Sequence, residues 1–108
     1  FYTNGVIEVI NSALDEISKF TFRDKKYKIN KQIFKIYWCL EALIYFSDFA
    51  DKNLLENILT KCSELPEYTV REKCAKILCE TNFDNLNDLK NRLKADENYY
   101  VRNIFVNH

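Results

Sequence analysis

Residues 53–71 read NLLENILTKCSELPEYTVR, and residues 84–102 read DNLNDLKNRLKADENYYVR. A shift of 31 residues lays Leu55 on Leu86, Ile58 on Leu89, Lys61 on Arg92 and Cys62 on Leu93 without a gap. The same shift lays Tyr68 on Tyr99, Val70 on Val101 and Arg71 on Arg102. Apolar residues three and four apart share one face of a helix, so each copy reads as helix, turn, helix. A fixed period of about twenty to fifty residues marks an array of stacked helical pairs. One such pair cannot bury enough apolar surface to offset its chain entropy, so it needs a neighbour.

Six helices follow from working outward along the chain. The third spans about 52–64 and turns Leu55, Ile58, Leu59 and Cys62 inward. Leu65-Pro66-Glu67 ends it, because proline cannot continue a helix but can begin the next. The fourth opens at Thr69, whose Thr-x-x-Glu spacing to Glu72 predicts a capping box, and buries Val70, Cys74, Ile77 and Leu78 before ending near Thr81. Asp84 is the expected cap of the fifth, with Leu86, Leu89 and Leu93 inward, and Asn98 of the sixth, with Val101, Ile104 and Phe105 inward. Upstream, the first helix covers about 4–19 on a stripe of Ile7, Ile10, Leu14 and Ile17. A polar, basic connector from Thr21 to Ile29 leads to a second helix that Asn30 caps and that reaches about Phe49. Between Ile33 and Phe46 only Lys35 and Glu41 are charged, which predicts an interior helix rather than a membrane span. The expected organisation is one domain over residues 1–108, with repeats at about 4–50, 52–81 and 84–108 and the first off register.

Composition agrees with that reading. One glycine and one proline are too few for the tight turns of an all-β chain. Apolar residues at 47% and charged residues at 30% exclude a disordered tail, and sixteen basic residues balance sixteen acidic ones. Lys, Asn, Ile, Phe and Tyr supply 49 of 108 residues, as an AT-rich coding sequence would, so surplus lysine carries little meaning. The chain starts at Phe1 and has no methionine, which fits a segment of a longer product; with no charged-then-apolar leader, the expected location is cytoplasmic. Cys39, Cys62, Cys74 and Cys79 form no C-x-x-C, and the single histidine is His108. No zinc-ligand spacing results, so the cysteines are expected to be reduced, buried, small apolar residues, with no metal or cofactor.

The turn motif carries a resemblance. Asp96-Glu97-Asn98-Tyr99-Tyr100-Val101-Arg102 resembles the HEAT-repeat pattern of an Asp followed by Val-Arg at the opening of the next helix, in its short bacterial form. Glu67-Tyr68-Thr69-Val70-Arg71 matches the second half, with Leu65 where the Asp would stand. The resemblance covers residues 53–108 and extends to the first half by architecture alone. It implies an all-α fold, a right-handed α-solenoid of three stacked hairpins. It further implies that Arg71 and Arg102 bond acidic or carbonyl groups of neighbouring turns, with Asp96 among them, as an inter-repeat ladder.

Candidates for function are few. No Ser–His–Asp or Cys–His set is available, no glycine-rich phosphate loop exists, and Asp15-Glu16 and Asp96-Glu97 point apart, so an enzyme is not expected. The expected activity is binding of a protein or peptide on a concave face formed by the second helices, as a scaffold or a small inhibitor of the immunity-protein kind. Its candidate contacts are Lys73, Lys76, Glu80, Tyr100 and Asn103, whereas Tyr68 and Tyr99 are expected to pack against adjacent repeats. The alternative is nucleic-acid binding. Residues 19–35 hold seven basic groups and one acid, with Phe20, Phe22 and Tyr27 interleaved, and Lys25, Lys26, Lys28 and Lys31 are its candidate contacts.

Overall fold

The apolar periodicity becomes six helices in a computed structural model, which describes the backbone of residues 3–19, 26–46, 51–80 and 86–106. They are α1 (Thr3–Lys19), α2 (Lys26–Phe46), α3 (Lys52–Cys62), α4 (Tyr68–Glu80), α5 (Asn87–Lys94) and α6 (Tyr99–Val106). No strand occurs among the described residues. Each helix turns its stripe into one continuous core. Ile7 and Ile10 of α1, Ile36 and Leu40 of α2, Leu55 and Ile58 of α3, Val70 and Ile77 of α4, Leu93 of α5 and Val101 of α6 are all essentially inaccessible. Burying each such side chain stabilises by about 1.5–3 kcal/mol before entropy is counted. Among the described residues, no helix is long and apolar enough to cross a membrane.

The packing order follows from the hairpins. α2 packs on α1 and α4, α4 on α2 and α6, and α1 on α3, while α5 lies against α4 and α6. The molecule measures 39 × 35 × 20 Å, and its thin dimension is two helix diameters.

Helix ends show where local signals acted and where packing overrode them. Asn98 caps α6 as its sequence predicts: its Oδ1 accepts the Tyr100 N–H at 2.8 Å and its carbonyl accepts the Arg102 N–H at 3.2 Å. Asp51 does the same for α3, accepting the Leu54 N–H at 3.1 Å. The Thr69 capping box does not form at the helix start. α4 begins at Tyr68, and the Glu67 carbonyl accepts from both Val70 and Arg71, which puts Thr69 inside the first turn. α3 ends at Cys62, two residues short of the expected Glu64. Asp84, the expected cap of the fifth helix, lies outside the described residues; Leu86 precedes α5 without a side-chain cap. α2 begins at Lys26 rather than Asn30, because Ile29 continues the buried stripe of Ile33, Ile36, Leu40 and Leu43 by one further turn.

The larger correction concerns the character of α2. An interior helix was expected, yet Phe34, Trp38 and Tyr45 are 63%, 64% and 72% exposed. At about 100° per residue these three fall within about 40° of one another, diametrically opposite the buried isoleucines and leucines. α2 is therefore amphipathic in position but not in composition, with an aromatic stripe on its outer side.

Candidate interaction surface

The aromatic stripe of α2 is flanked by two different electrostatic borders. On one side are Lys28, Lys31 and Lys35, all exposed and free of ion pairs among the described residues. On the side toward α4, the Lys73 Nζ bonds the Glu41 carboxylate and sits 4.9 Å above the Tyr37 ring. Tyr37 in turn meets Trp38 edge-on at 5.3 Å. Burial pulls the Lys73 ammonium down most strongly, but the hydrogen bond and charge of Glu41, helped by Tyr37, together outweigh it and leave the pKa above the ordinary lysine value. Lys73 was expected on the exposed edge of the fourth helix; only 6% of it is accessible. It is a buried clamp between α2 and α4, and it tethers the helix that carries the aromatic stripe.

The remaining expected contacts divide by helix face. Glu80 is exposed and Lys76 half-buried on the outer side of α4, and Asn103 is half-buried on α6. Tyr100 is 57% exposed and stacks on Tyr68 with ring centroids 5.9 Å apart, while Tyr99 meets Tyr100 edge-on at 5.7 Å. Tyr68 reaches the next repeat through the Tyr100 ring. Tyr99, expected to be packed away, is 61% exposed. The tyrosines form an open cluster because they lie in the first turns of α4 and α6, on the side away from the core. Of the basic candidates, Lys25 and the side chain of Lys26 lie outside the described residues, while Lys28 sits on α2 rather than in the connector, and Lys31 sits on α2 as expected.

A second polar assembly joins the two turns. The Arg71 Nε and Nη2 donate to the two Asp96 oxygens at 2.9 and 3.1 Å, and its Nη1 donates to the Leu65 and Pro66 carbonyls, both at 2.9 Å. Both side chains of this pair are about 10% exposed, at 10% and 11%. The Asp96 Oδ1 also accepts the Asn98 N–H at 2.9 Å, and the Arg102 Nη1 donates to the Asp96 carbonyl at 2.6 Å. Beside it, the Arg92 Nη2 donates to the Ser63 hydroxyl at 3.0 Å. Arg71, Asp96 and Arg102 are thus brought together between residues 65 and 102.

Three of the thiols are poorly suited to nucleophilic chemistry. Burial pushes Cys39 and Cys79 above the ordinary thiol range, and in Cys74 a hydrogen bond with Cys62, together with complete burial, pushes it well above. Among the described residues no three potential metal ligands converge. Phe34, Trp38 and Tyr45 escaped the sequence reading because a run of apolar residues conceals which side is covered. Their four- and seven-residue spacing, opposite the aliphatic stripe, was the available signal. Comparison with family models, with curated proteins and with solved structures yields no match.

Proposed function

We propose that this chain is a non-catalytic protein-interaction module. In this reading its six helices form a right-handed, HEAT-like α-solenoid of three hairpins. The exposed side of α2, α4 and α6 receives a protein or peptide partner, as in a scaffold or a small inhibitor. The carrying observation is the exposure of Phe34, Trp38 and Tyr45 along one line of α2; the Tyr68–Tyr100 stack adds two exposed rings on α4 and α6. Exposed aromatic residues in one contiguous patch mark contact surfaces, since each buries a large area at little entropic cost. In this reading Lys76 and Glu80 of α4 and Asn103 of α6, each at least partly exposed, supply polar contacts to the partner.

Affinity capture with the wild-type chain and with a Phe34→Ala/Trp38→Ala variant tests this. Both side chains are mostly exposed, so the variant is expected to keep its stability within about 0.5 kcal/mol. The wild type is expected to retain a specific protein that the variant loses. Equal retention by both, or none by either at micromolar concentration, overturns the reading.

The second reading, nucleic-acid binding, has one observation in its favour: Lys28, Lys31 and Lys35 make no ion pairs among the described residues and share α2 with exposed Phe34 and Trp38. Stacking rings beside unpaired cations fit single strands. It requires affinity that falls with salt by about one log–log unit per phosphate contacted. A flat titration removes it.

A further inference from the structure

The 31-residue register places Arg102 where Arg71 stands, and their surroundings can be compared atom by atom. Each guanidinium is anchored by its Nη1 on the carbonyl six residues upstream, Leu65 for Arg71 and Asp96 for Arg102. The Arg71 fork is then filled by the Asp96 carboxylate. The Nε and Nη2 of Arg102 have no partner among the described residues.

The apolar neighbours show the same contrast. Cys74 and Ala75 on α4 are fully buried, and α6 packs on α4. Their counterparts one period on are Phe105, only partly buried, and Val106, 78% exposed. These residues border an open groove of about 380 Å³, lined by Lys94, Tyr99, Arg102, Asn103, Phe105 and Val106. The groove couples two unpaired guanidinium nitrogens and a lysine to an apolar floor.

We infer that this groove is a docking site for an aspartate-bearing turn of a partner protein. Its carboxylate is received by the Nε and Nη2 of Arg102, and an adjoining aliphatic side chain lies on Phe105 and Val106. The occupant's chemistry is set by the filled copy of the site in the same chain. There the fork holds a side-chain carboxylate in a bidentate pair, and the turn around that carboxylate brings the apolar residues that cover α4. An aspartate suits the position because Asp96 accepts its own turn's Asn98 N–H while filling the fork. This site lies at the α5–α6 end of the molecule and does not depend on the aromatic stripe of α2.

The test uses the whole chain, with its arginine Nε–Hε groups followed by NMR. The probe is a capped peptide copying residues 93–98 (Leu93 to Asn98), and the control is its Asp96→Asn form. The aspartate peptide is expected to shift the Arg102 Hε signal saturably in the millimolar range, to leave the Arg71 Hε signal in place, and to shift Val106 as well. The asparagine peptide is expected to shift none of them. An Arg102→Lys chain is expected to lose the Val106 response while its remaining spectrum stays as in the wild type. The inference is overturned by the absence of an Arg102 shift, by equal shifts with the asparagine peptide, by an equal response at Arg71, or by an undiminished Val106 shift in Arg102→Lys. None of these outcomes bears on capture through Phe34 and Trp38.

Discussion

Arg71 is a charged residue that the fold has almost completely covered, and it is tolerated because four hydrogen bonds, two of them to a carboxylate, meet its guanidinium. The pair is consequently sensitive to the loss of one member. Asp96→Ala is expected to cost about 3 kcal/mol in urea unfolding, because it leaves a buried cation without its counter-charge. Arg102→Ala, which removes one bond from a half-exposed side chain, is expected to cost less than half as much. Cys74 supplies a pH dependence whose sign is fixed. Its folded-state pKa lies well above the unfolded value of 9.0, so the unfolded chain loses the thiol proton first as pH rises. Stability from this group is complete below that value and declines above it. Between about pH 8 and pH 10 the wild type is expected to lose stability more steeply than Cys74→Ala, which lacks that thiol and keeps the other three. Equal slopes in the two chains would show that Cys74 does not carry the effect. Lys73, also raised, follows the same sign but begins only near its ordinary value of 10.5, so the two limbs separate.

At the scale of the helix, caps and stripes make different demands. Asn98→Ala removes the side-chain acceptor for the Tyr100 N–H and is expected to cost about 1 kcal/mol, read as a lowered urea midpoint. Thr69→Ala is expected to change the midpoint far less. Thr69 matches the capping pattern but stands inside α4, where Glu67 already accepts the first two helical bonds. A pattern of residue types names a cap only if the backbone actually leaves the helix there. Proline at 66 and the register of Val70 pulled the start of α4 back to Tyr68 instead. α2 teaches the complementary point. That it is a long, largely apolar helix was readable from composition, but the outer aromatics were not, because hydropathy does not distinguish a covered ring from an open one. Only the position of α1 on one flank and α4 on another leaves Phe34, Trp38 and Tyr45 bare.

For the molecule as a whole, one cluster of side chains runs through all six helices, so no hairpin has a core of its own. Urea unfolding followed by Trp38 fluorescence and by far-ultraviolet dichroism is expected to give one coincident transition; separate midpoints would show hairpins that melt independently. The helical class, the 31-residue repeat and most of the inward residues were contained in the sequence, whereas the meeting of Arg71, Asp96 and Arg102 was implied only by the resemblance of the turn motif. Periodicity is a local property that any helix must obey to bury one side. Which surfaces stay open was decided by the tertiary structure alone. Lys73 became a buried clamp because Glu41 of a distant helix came to face it, and the Arg102 fork stands empty because nothing among the described residues follows it as Asp96 follows Arg71. Exposure depends on what arrives from elsewhere in the chain, and no local pattern of residues encodes that arrival.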